Sequence, residues 1–244
     1  MDGGFSLDIF DYTLPDSVTE ALQTKGFVVI PGPIAVERMA QFAEAYDDVM
    51  CDYDSPDFGI GTTTTRMLDF VNRGPEFDEV YLHSPLLAAC HCVIGEPFKL
   101  SSTLGRTLRP HTAAQDLHVD IERDSKDLPM VGFILMIDDF GAGNGATRFV
   151  PGSHLWPEVP LDTMTDCKAD YDGQTFALGS AGSMIVFNGS IWHGHTANAT
   201  NQPRRSIQGY FVRRNAQSGI DQTSRIRPET IERLRPLARY LLAL

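Results

Sequence analysis

Between residues 99 and 214 the chain is a series of short apolar or alternating segments separated by turn residues, and this pattern constrains the fold more than any other feature. Runs of this kind, bounded by Gly, Pro, Asn or Asp, are typical of β-strands. Several closely spaced strands after a helical start predict a mainly β fold with flanking helices, either a sandwich or a jelly roll. The predicted strands are KLSSTLGRTL, AQDLHVDI, MVGFILMI, GATRFVP, SMIVFN, SIWHGHT and RRSIQGYFVRR.

The part of the chain before residue 99 has a mainly helical pattern. Residues 16–25 begin with Asp and Ser and have amphipathic spacing, after which Gly26 ends the helix and FVVI follows as a strand. Another helix is predicted over residues 34–49, and two shorter ones across PEFDEVYLH and SPLLAACHCVI. We therefore expect the helices to be gathered ahead of most of the strands.

The end of the chain returns to a helical pattern. In RPETIERLRPLARYLLAL, Pro228 suits the first position of a helix, and one or two closing helices are predicted. A length of 244 residues fits one large β domain, because such domains reach about 250 residues without splitting. We predict a helical preamble with an edge strand in residues 1–97, a jelly-roll core in 98–214 and a C-terminal helical segment in 215–244.

Composition limits the partners and the cellular location of the protein. A net charge of −12 disfavours nucleic acids and anionic membranes as partners. The longest apolar runs, such as VGFILMI, are too short to cross a bilayer. The start MDGGFSLDIFDY is acidic and has no basic region ahead of an apolar stretch, so a cytoplasmic protein is expected. The chain has four cysteines, and two of them form the motif CHC, which has no second pair at zinc spacing. We interpret all four as free thiols.

One segment, QDLHVD, places an imidazole and a carboxylate on the same side of a predicted strand. Side chains at i and i+2 share a face, so His118 and Asp120 point to one place. His193 follows a second apolar strand in FNGSIWHGHT. Two imidazoles and one carboxylate form the facial triad that holds non-haem Fe(II) and leaves positions open for oxygen chemistry. His195 has the same strand parity as His193 and is an alternative third ligand.

An iron oxygenase also needs a reductant, and the sequence offers a site for 2-oxoglutarate. The far carboxylate of 2-oxoglutarate requires a cation that can bind both of its oxygens, which arginine does best. Arg204 lies eleven residues after His193, behind the turn NATNQP. Arg204 and Ser206 face the same way on the predicted strand, so that a guanidinium and a hydroxyl can hold one carboxylate together.

Three segments carry a resemblance to a known family. QDLHVD, NGATRFVPGSH and WHGHTANATNQPRRS resemble the phytanoyl-CoA dioxygenase family of Fe(II)- and 2-oxoglutarate-dependent oxygenases, and the likeness extends over nearly the whole chain. The resemblance implies a double-stranded β-helix, which is a cupin-like jelly roll. It also implies that His118, Asp120 and His193 bind iron and that Arg204 binds 2-oxoglutarate.

The resemblance adds two cosubstrate contacts and a choice between two histidines. Gln115 and Thr147 match positions that often contact the cosubstrate in similar proteins. The family's W-H-G pattern and its interval to the arginine favour His193 over His195 as the third ligand. His195 then supports the site, faces the substrate or is simply a polar side chain near the mouth.

The reaction implied by the resemblance consumes O2 and 2-oxoglutarate, releases succinate and CO2, and hydroxylates, desaturates or cyclises a substrate. Related halogenases have a small residue in place of the carboxylate, so Asp120 favours oxidation over halogenation. The segments expected to roof the pocket, residues 57–70 and 162–175, mix apolar with polar side chains, which suits a mostly apolar small molecule. They offer only Arg66 and Lys168 for the phosphates of an acyl-CoA, so a natural product or other small metabolite is predicted.

Other functions fit the sequence less well. The main alternative is a metal-free binding jelly roll in which His118 and His193 are hydrogen-bonded core residues. A zinc hydrolase has suitable ligands, but no helical H-E-x-x-H motif supplies its general base. GAGNGATRF has the glycine spacing of a dinucleotide site, but a strand follows where a helix should begin, and no G-x-S-x-G is present. We therefore expect an enzyme with a small-molecule substrate, acting as a monomer or a homodimer.

Overall fold

The computed structural model describes residues 12–122, 125 and 128–244. Residues 1–11, on which the expectation of a cytoplasmic location rests, lie outside the described residues. No helix in the described part is both long and apolar enough to cross a membrane. The strands are β1 (Phe27–Pro31), β2 (Phe58–Ile60), β3 (Thr64–Leu68), β4 (Phe98–Leu108), β5 (Met130–Met136), β6 (Thr147–Phe149), β7 (Thr175–Ala177), β8 (Ser183–Asn188), β9 (His193–His195) and β10 (Arg204–Arg213).

Short helices surround these strands. The α-helices are α1 (Asp16–Thr24), α2 (Met39–Met50), α3 (Asp78–Tyr81), α4 (Ser84–Ile94), α5 (Pro160–Thr163), α6 (Gln222–Arg225), α7 (Pro228–Arg233) and α8 (Pro236–Leu241). Single turns of 3-10 helix lie at Val36–Arg38, Phe70–Asn72, Pro75–Phe77 and Ser153–Leu155.

Two antiparallel sheets form the centre of the fold. The large sheet has the order β1-β8-β5-β10-β4-β3-β2, and the small sheet has the order β7-β6-β9. An apolar core fills the space between them, where Phe27 of β1 stacks on Phe149 of β6 with ring centroids 4.3 Å apart. Ile134 and Phe187 of the large sheet belong to the same core. The prediction of a mainly β fold with flanking helices is confirmed.

The helices cover the opposite face of the large sheet. Phe133 and Leu135 of β5 lie in a second core with the helices, whereas Ile134 and Met136 face the small sheet. Because both faces of β5 are covered, the strand is apolar at nearly every position, which explains the unbroken run MVGFILM. The helices contribute Leu22, Phe42, Tyr46, Leu86 and Leu241 to this second core.

The prediction of a strand across AQDLHVDI is wrong. This segment belongs to no strand and takes part in one isolated bridge, between His118 and His193. Leu117 N donates to Cys167 O at 2.8 Å, so the segment changes partner immediately before this bridge. A continuous ladder cannot form when successive backbone groups bond to different parts of the chain.

One further difference lies outside the jelly-roll core. Residues 57–70, predicted only as a roof, contain β2 and β3, which extend the large sheet beyond β4. Together with β1, three strands from the predicted preamble enter the sheet rather than a single edge strand. The one or two closing helices predicted in RPETIERLRPLARYLLAL are confirmed as α7 and α8, because Pro228 and Pro236 each begin a helix.

Candidate metal centre

Two backbone hydrogen bonds tie His118 to His193 and place their imidazoles side by side. His118 N donates to His193 O at 3.0 Å, and His193 N donates to His118 O at 2.9 Å. The ring centroids are 4.4 Å apart. His193 opens β9, whose other edge pairs with β6, so one end of the small sheet holds both rings in place.

Asp120 is held two residues further along the same segment. Its backbone N donates to Gly189 O at 2.9 Å. One carboxylate oxygen lies 3.8 Å from His118 Nε2, and the other lies 3.4 Å from His193 Nε2. One ligand atom from each of the three residues lies within 4.8 Å of the others. The three side chains predicted as a facial triad therefore converge, and they line a cavity of about 50 Å³.

Both imidazoles are oriented by a backbone carbonyl that lies beside Nδ1. His118 Nδ1 is 2.9 Å from Asp116 O, and His193 Nδ1 is 3.0 Å from Ile191 O. A carbonyl oxygen only accepts hydrogen bonds, so each Nδ1 must carry the proton, and each Nε2 presents a lone pair to the cavity. This tautomer is the one that metal-binding histidines adopt when a carbonyl orients them.

The cavity contains a carboxylate oxygen that no group of the described residues satisfies. Asp120 Oδ2 is buried and has no hydrogen-bond partner among the described residues. Burial raises the pKa of this carboxyl group, and burial lowers the pKa of both His118 and His193 to about 4. Two neutral imidazoles cannot balance a buried carboxylate, whereas a divalent cation would bind all three groups. The residues thus fit a metal ion, and two histidines with one carboxylate and open positions suit Fe(II).

A buried guanidinium lines the same cavity. Arg204, at the start of β10, is 1% exposed, and its guanidinium carbon lies 3.9 Å from the centroid of the Phe140 ring. Its Nε and Nη1 have no hydrogen-bond partner among the described residues. Burial lowers the pKa of Arg204 to about 9, with a further contribution from Arg106, so the group is still a cation at neutral pH. Such a group is ready to bind an anion that enters the cavity.

Two of the three other predicted cosubstrate residues lie at the cavity. Gln115 and Thr147 both line it. Gln115 Nε2 lies 3.5 Å from His118 Nε2. Ser206, by contrast, does not line the cavity, and its hydroxyl donates to Arg106 O at 3.1 Å. The predicted Arg204–Ser206 clamp thus has no support in this geometry, because the hydroxyl proton is already used by the backbone.

His195 occupies a different position from the three converging ligands. It lines the cavity, but its Nδ1 is 2.9 Å from Thr196 O and its Nε2 is 3.1 Å from Thr63 Oγ1. By the same argument as for the other histidines, Thr63 donates to Nε2. His193 rather than His195 therefore reaches Asp120, and His195 connects the cavity to the loop between β2 and β3.

The sequence reasoning missed several lining residues. Arg106, Gln208 and Tyr210 face the cavity together with the apolar side chains of Ile134 and Phe187. Strand parity from Arg204 would have found two of them, because alternate residues of β10 share its face. Arg106 could not be found in this way, since it depends on the pairing of β4 with β10.

Comparisons with known proteins cover most of the chain. The family model described as Phytanoyl-CoA dioxygenase (PhyH) matches residues 22–206. The chain is 29% identical over 212 residues to "Multifunctional dioxygenase prhA" of Penicillium brasilianum, which covers 78% of this chain and 69% of that protein. It is also 29% identical over 231 residues to "Multifunctional dioxygenase ausE" of Emericella nidulans, covering 85% of this chain and 76% of that protein.

Solved structures share the fold. HygX from Streptomyces hygroscopicus, crystallised with nickel and 2-oxoglutarate, superposes with a TM-score of 0.67 at 18% identity over 84% of this chain and 90% of HygX. The non-heme alpha ketoglutarate dependent carbocyclase SnoK from nogalamycin biosynthesis gives 0.68 at 18% identity over 92% of both chains. These similarities confirm the predicted double-stranded β-helix.

Proposed function

This chain belongs to the phytanoyl-CoA dioxygenase family, and from that membership we propose that it is an Fe(II)- and 2-oxoglutarate-dependent dioxygenase that hydroxylates a small, mostly apolar molecule. Desaturation and ring closure are alternative outcomes of the same oxidation. One observation carries the proposal: the converging His118, Asp120 and His193 share a cavity with the guanidinium of Arg204, whose Nε and Nη1 have no hydrogen-bond partner among the described residues.

Each residue of the cavity has a part in this proposal. His118, Asp120 and His193 would hold the iron, with Asp116 O and Ile191 O fixing the two rings. Arg204, resting on Phe140, would bind the far carboxylate of 2-oxoglutarate. Gln115 and Thr147, which line the same cavity, would contact this cosubstrate as well.

The chemistry itself comes from the bound groups. Bound Fe(II) would activate O2, which is the oxidant, and 2-oxoglutarate would supply two of the electrons needed by its conversion to succinate and CO2. The protein contributes ligand geometry and a cavity of about 50 Å³ whose apolar lining includes Ile134 and Phe187. Ile134 and Phe187 offer no polar atom that would compete for the metal.

The relatives support a natural product or other small metabolite as the substrate. SnoK is named for nogalamycin biosynthesis, and the fungal relatives are named as multifunctional dioxygenases. The name multifunctional dioxygenase fits a site in which one metal centre performs more than one oxidation. A metal-free binding protein, the main alternative, does not account for a buried carboxylate oxygen that has no partner in the described part of the chain.

Anaerobic titration of Fe(II) and 2-oxoglutarate into the apo-protein tests the proposal. The chelate of the two on the protein is expected to give a weak visible charge-transfer band. Arg204→Ala should weaken 2-oxoglutarate binding by at least about tenfold, because a charge-assisted contact to a carboxylate is lost. Arg205→Ala is the matched control, since Arg205 pairs with Asp138 and Asp47 outside the cavity. A folded wild-type protein that gives no band and binds no iron would favour the metal-free alternative.

A further inference from the structure

Residues 115–120 contribute two of the three converging ligands, but they belong to no strand. Gln115 N and His118 N donate to carbonyl oxygens of β9, whereas Leu117 N donates to Cys167 O at 2.8 Å. Cys167 begins a surface stretch, residues 167–174, that leads into β7 and that we call the outer loop. Because no continuous ladder holds residues 115–120, each of these separate partners matters for the position of the ligands.

One buried arginine binds both residues 115–120 and the outer loop. Arg148 of β6 is 1% exposed, although arginine is seldom buried to this degree unless its charge has partners. Its guanidinium donates to four backbone carbonyl oxygens at 2.9–3.2 Å, those of Gln115, Cys167, Lys168 and Ala169. Three of the four belong to the outer loop, and the fourth belongs to the segment that carries the ligands.

The charge of Arg148 is balanced mainly by these carbonyl groups. Its carboxylate partner, Asp170, lies at 3.2 Å but is 84% exposed, and an exposed ion pair contributes little. Carbonyl oxygens that converge on one point repel each other, because each is the negative end of a dipole. A planar cation with donors in fixed directions removes this repulsion, which arginine does better than lysine. The two parts of the chain therefore meet at Arg148.

A glycine on the neighbouring strand brings residues 115–120 within reach of Arg148. Arg148 pairs with Gly194 of β9, so both lie on the same side of the small sheet. This side is opposite to the metal cavity, because the adjacent residues Thr147 and His193 line that cavity. A Cβ atom at Gly194 would lie 2.9 Å from Asp116 O, which is closer than such contacts ordinarily are. The segment thus crosses β9 in direct contact with its backbone.

Apolar packing joins the outer loop to the neighbours of two ligands. Leu117, which precedes His118, and Trp192, which precedes His193, belong to one small buried cluster. Tyr171 of the outer loop packs against this cluster, and its ring centroid lies 5.4 Å from that of Trp192. A displacement of the outer loop would therefore be transmitted to the backbone beside both imidazoles.

We propose that Arg148 is a positioning residue for the metal centre, which holds residues 115–120 against the outer loop so that His118 and Asp120 meet His193 in the geometry for binding. Arg148 acts through Gln115 O directly, and through Cys167 O on Leu117. It contacts neither metal nor cosubstrate, because it lies on the opposite side of the small sheet. This inference rests on the proposed function, because it assigns a residue to the metal of that same site.

Anaerobic titration of Fe(II) into two variants of Arg148 tests the proposal. Arg148→Met removes every donor and keeps an apolar stem, and Arg148→Lys keeps the charge without the planar fork. We expect the dissociation constant for Fe(II) to rise at least about tenfold in Arg148→Met, as for other groups that orient metal ligands, and to take an intermediate value in Arg148→Lys.

Arg214→Met is the matched control for these titrations. Arg214 also donates to a backbone carbonyl, Tyr240 O, and its guanidinium lies 4.2 Å from the centroid of the Tyr240 ring, in a part of the fold away from the cavity. This variant should lose stability, measured by urea unfolding, and keep the iron affinity of the wild type. A residue that only stabilises the fold would behave in the same way.

Amide hydrogen exchange at Leu117 reports the same contact without metal. In the apo-protein, Arg148→Met should make this amide exchange at least about tenfold faster, because the outer loop that carries Cys167 O opens locally. The rate at Leu117 should be that of the wild type in Arg214→Met. NMR spectroscopy measures both.

Wild-type iron affinity in folded Arg148→Met overturns the proposal. So does an equal loss of affinity in Arg148→Met and Arg214→Met, because the loss would then follow stability. If Arg148→Met does not fold, Arg148→Lys takes its place, and wild-type iron affinity with wild-type exchange at Leu117 overturns the proposal. A wild type that binds no iron contradicts the proposed function. Arg148 is then judged by exchange at Leu117, where an unchanged rate in Arg148→Met overturns its role and a faster rate supports it.

Discussion

At the scale of single residues, the candidate site is marked by polar atoms that lack partners. Asp120 Oδ2 and two nitrogens of Arg204 are buried without hydrogen bonds within the described part of the chain. Leaving a buried polar group unsatisfied costs about 1–3 kcal/mol, and more if it is charged. A chain keeps such groups where a ligand completes them, and here an anionic and a cationic group share one cavity.

Replacing Asp120 by Ala separates metal binding from folding. We expect the affinity for Fe(II) to fall by more than about 100-fold, because even changes in the groups that orient a ligand cost 10–100-fold. The free energy of unfolding of the apo-protein should fall by no more than about 1–3 kcal/mol, since the main loss is the hydrogen bond between the Tyr210 hydroxyl and this carboxylate. Metal titration and urea unfolding measure the two effects.

Asp116→Ala is the control for this experiment. Asp116 is exposed, and the backbone carbonyl that orients His118 is kept in the variant. Its iron affinity should match that of the wild type. Unchanged iron affinity in Asp120→Ala would remove Asp120 from the proposed ligands.

At the scale of elements, the C-terminal segment fixes the edge of the large sheet that β2 and β3 form. Asp57, next to β2, is buried and is bound by both Arg73 and Arg225. Arg225 of α6 also reaches Asp69, which follows β3, at 3.4 Å. The two ends of the β2–β3 hairpin are therefore held by one arginine from a distant part of the chain.

Arg225→Ala should loosen this hairpin. The buried Asp69 loses its ion pair with Arg225, and Asp57 retains only Arg73, so we expect the free energy of unfolding to fall by about 1–3 kcal/mol. Urea unfolding checks the stability. In Arg227→Ala the backbone N that donates to Asn72 is preserved, and the stability should stay within about 0.5 kcal/mol of the wild type. Equal stability of the two variants would show that the ion pairs contribute little.

At the scale of the whole molecule, the metal centre joins the small sheet, the large sheet and the loop between them. His193 lies on β9, Arg204 on β10, and Asp120 on the segment that leads into β5. A metal ion and a cosubstrate that contact such separate parts of the chain bind the folded protein and not the unfolded one. Their binding free energy is therefore added to the stability of the fold.

Metal and cosubstrate should accordingly raise the melting temperature together. At about 100 times its dissociation constant, a ligand that binds only the native state adds about 2.7 kcal/mol. We expect Fe(II) with 2-oxoglutarate, under anaerobic conditions, to stabilise the wild type by this order, and a chelator to reverse the effect. Differential scanning calorimetry measures both. A similar gain in Asp120→Ala would point to metal bound elsewhere on the chain.

The sequence by itself determined the features that depend on local alternation and spacing. A period of two and the turn residues predicted nearly all strands of the core and the shared side of His118 and Asp120. They also indicated that Arg204 lies on the strand after His193. Each of these patterns can be recognised within about a dozen consecutive residues, because alternation reflects only whether a side chain of one strand faces the core or the solvent. The family resemblance rested on the same short segments.

Only the tertiary structure decided which distant groups meet. It brought Arg66 opposite Arg106, used the hydroxyl of Ser206 for a backbone carbonyl, and replaced the expected strand at His118 by a single bridge. It also joined Arg225 to Asp57, which lies 168 residues away in the sequence. The physical reason is that alternation fixes the side on which a residue lies, whereas its partner depends on strand order and register, which arise only when the sheets assemble.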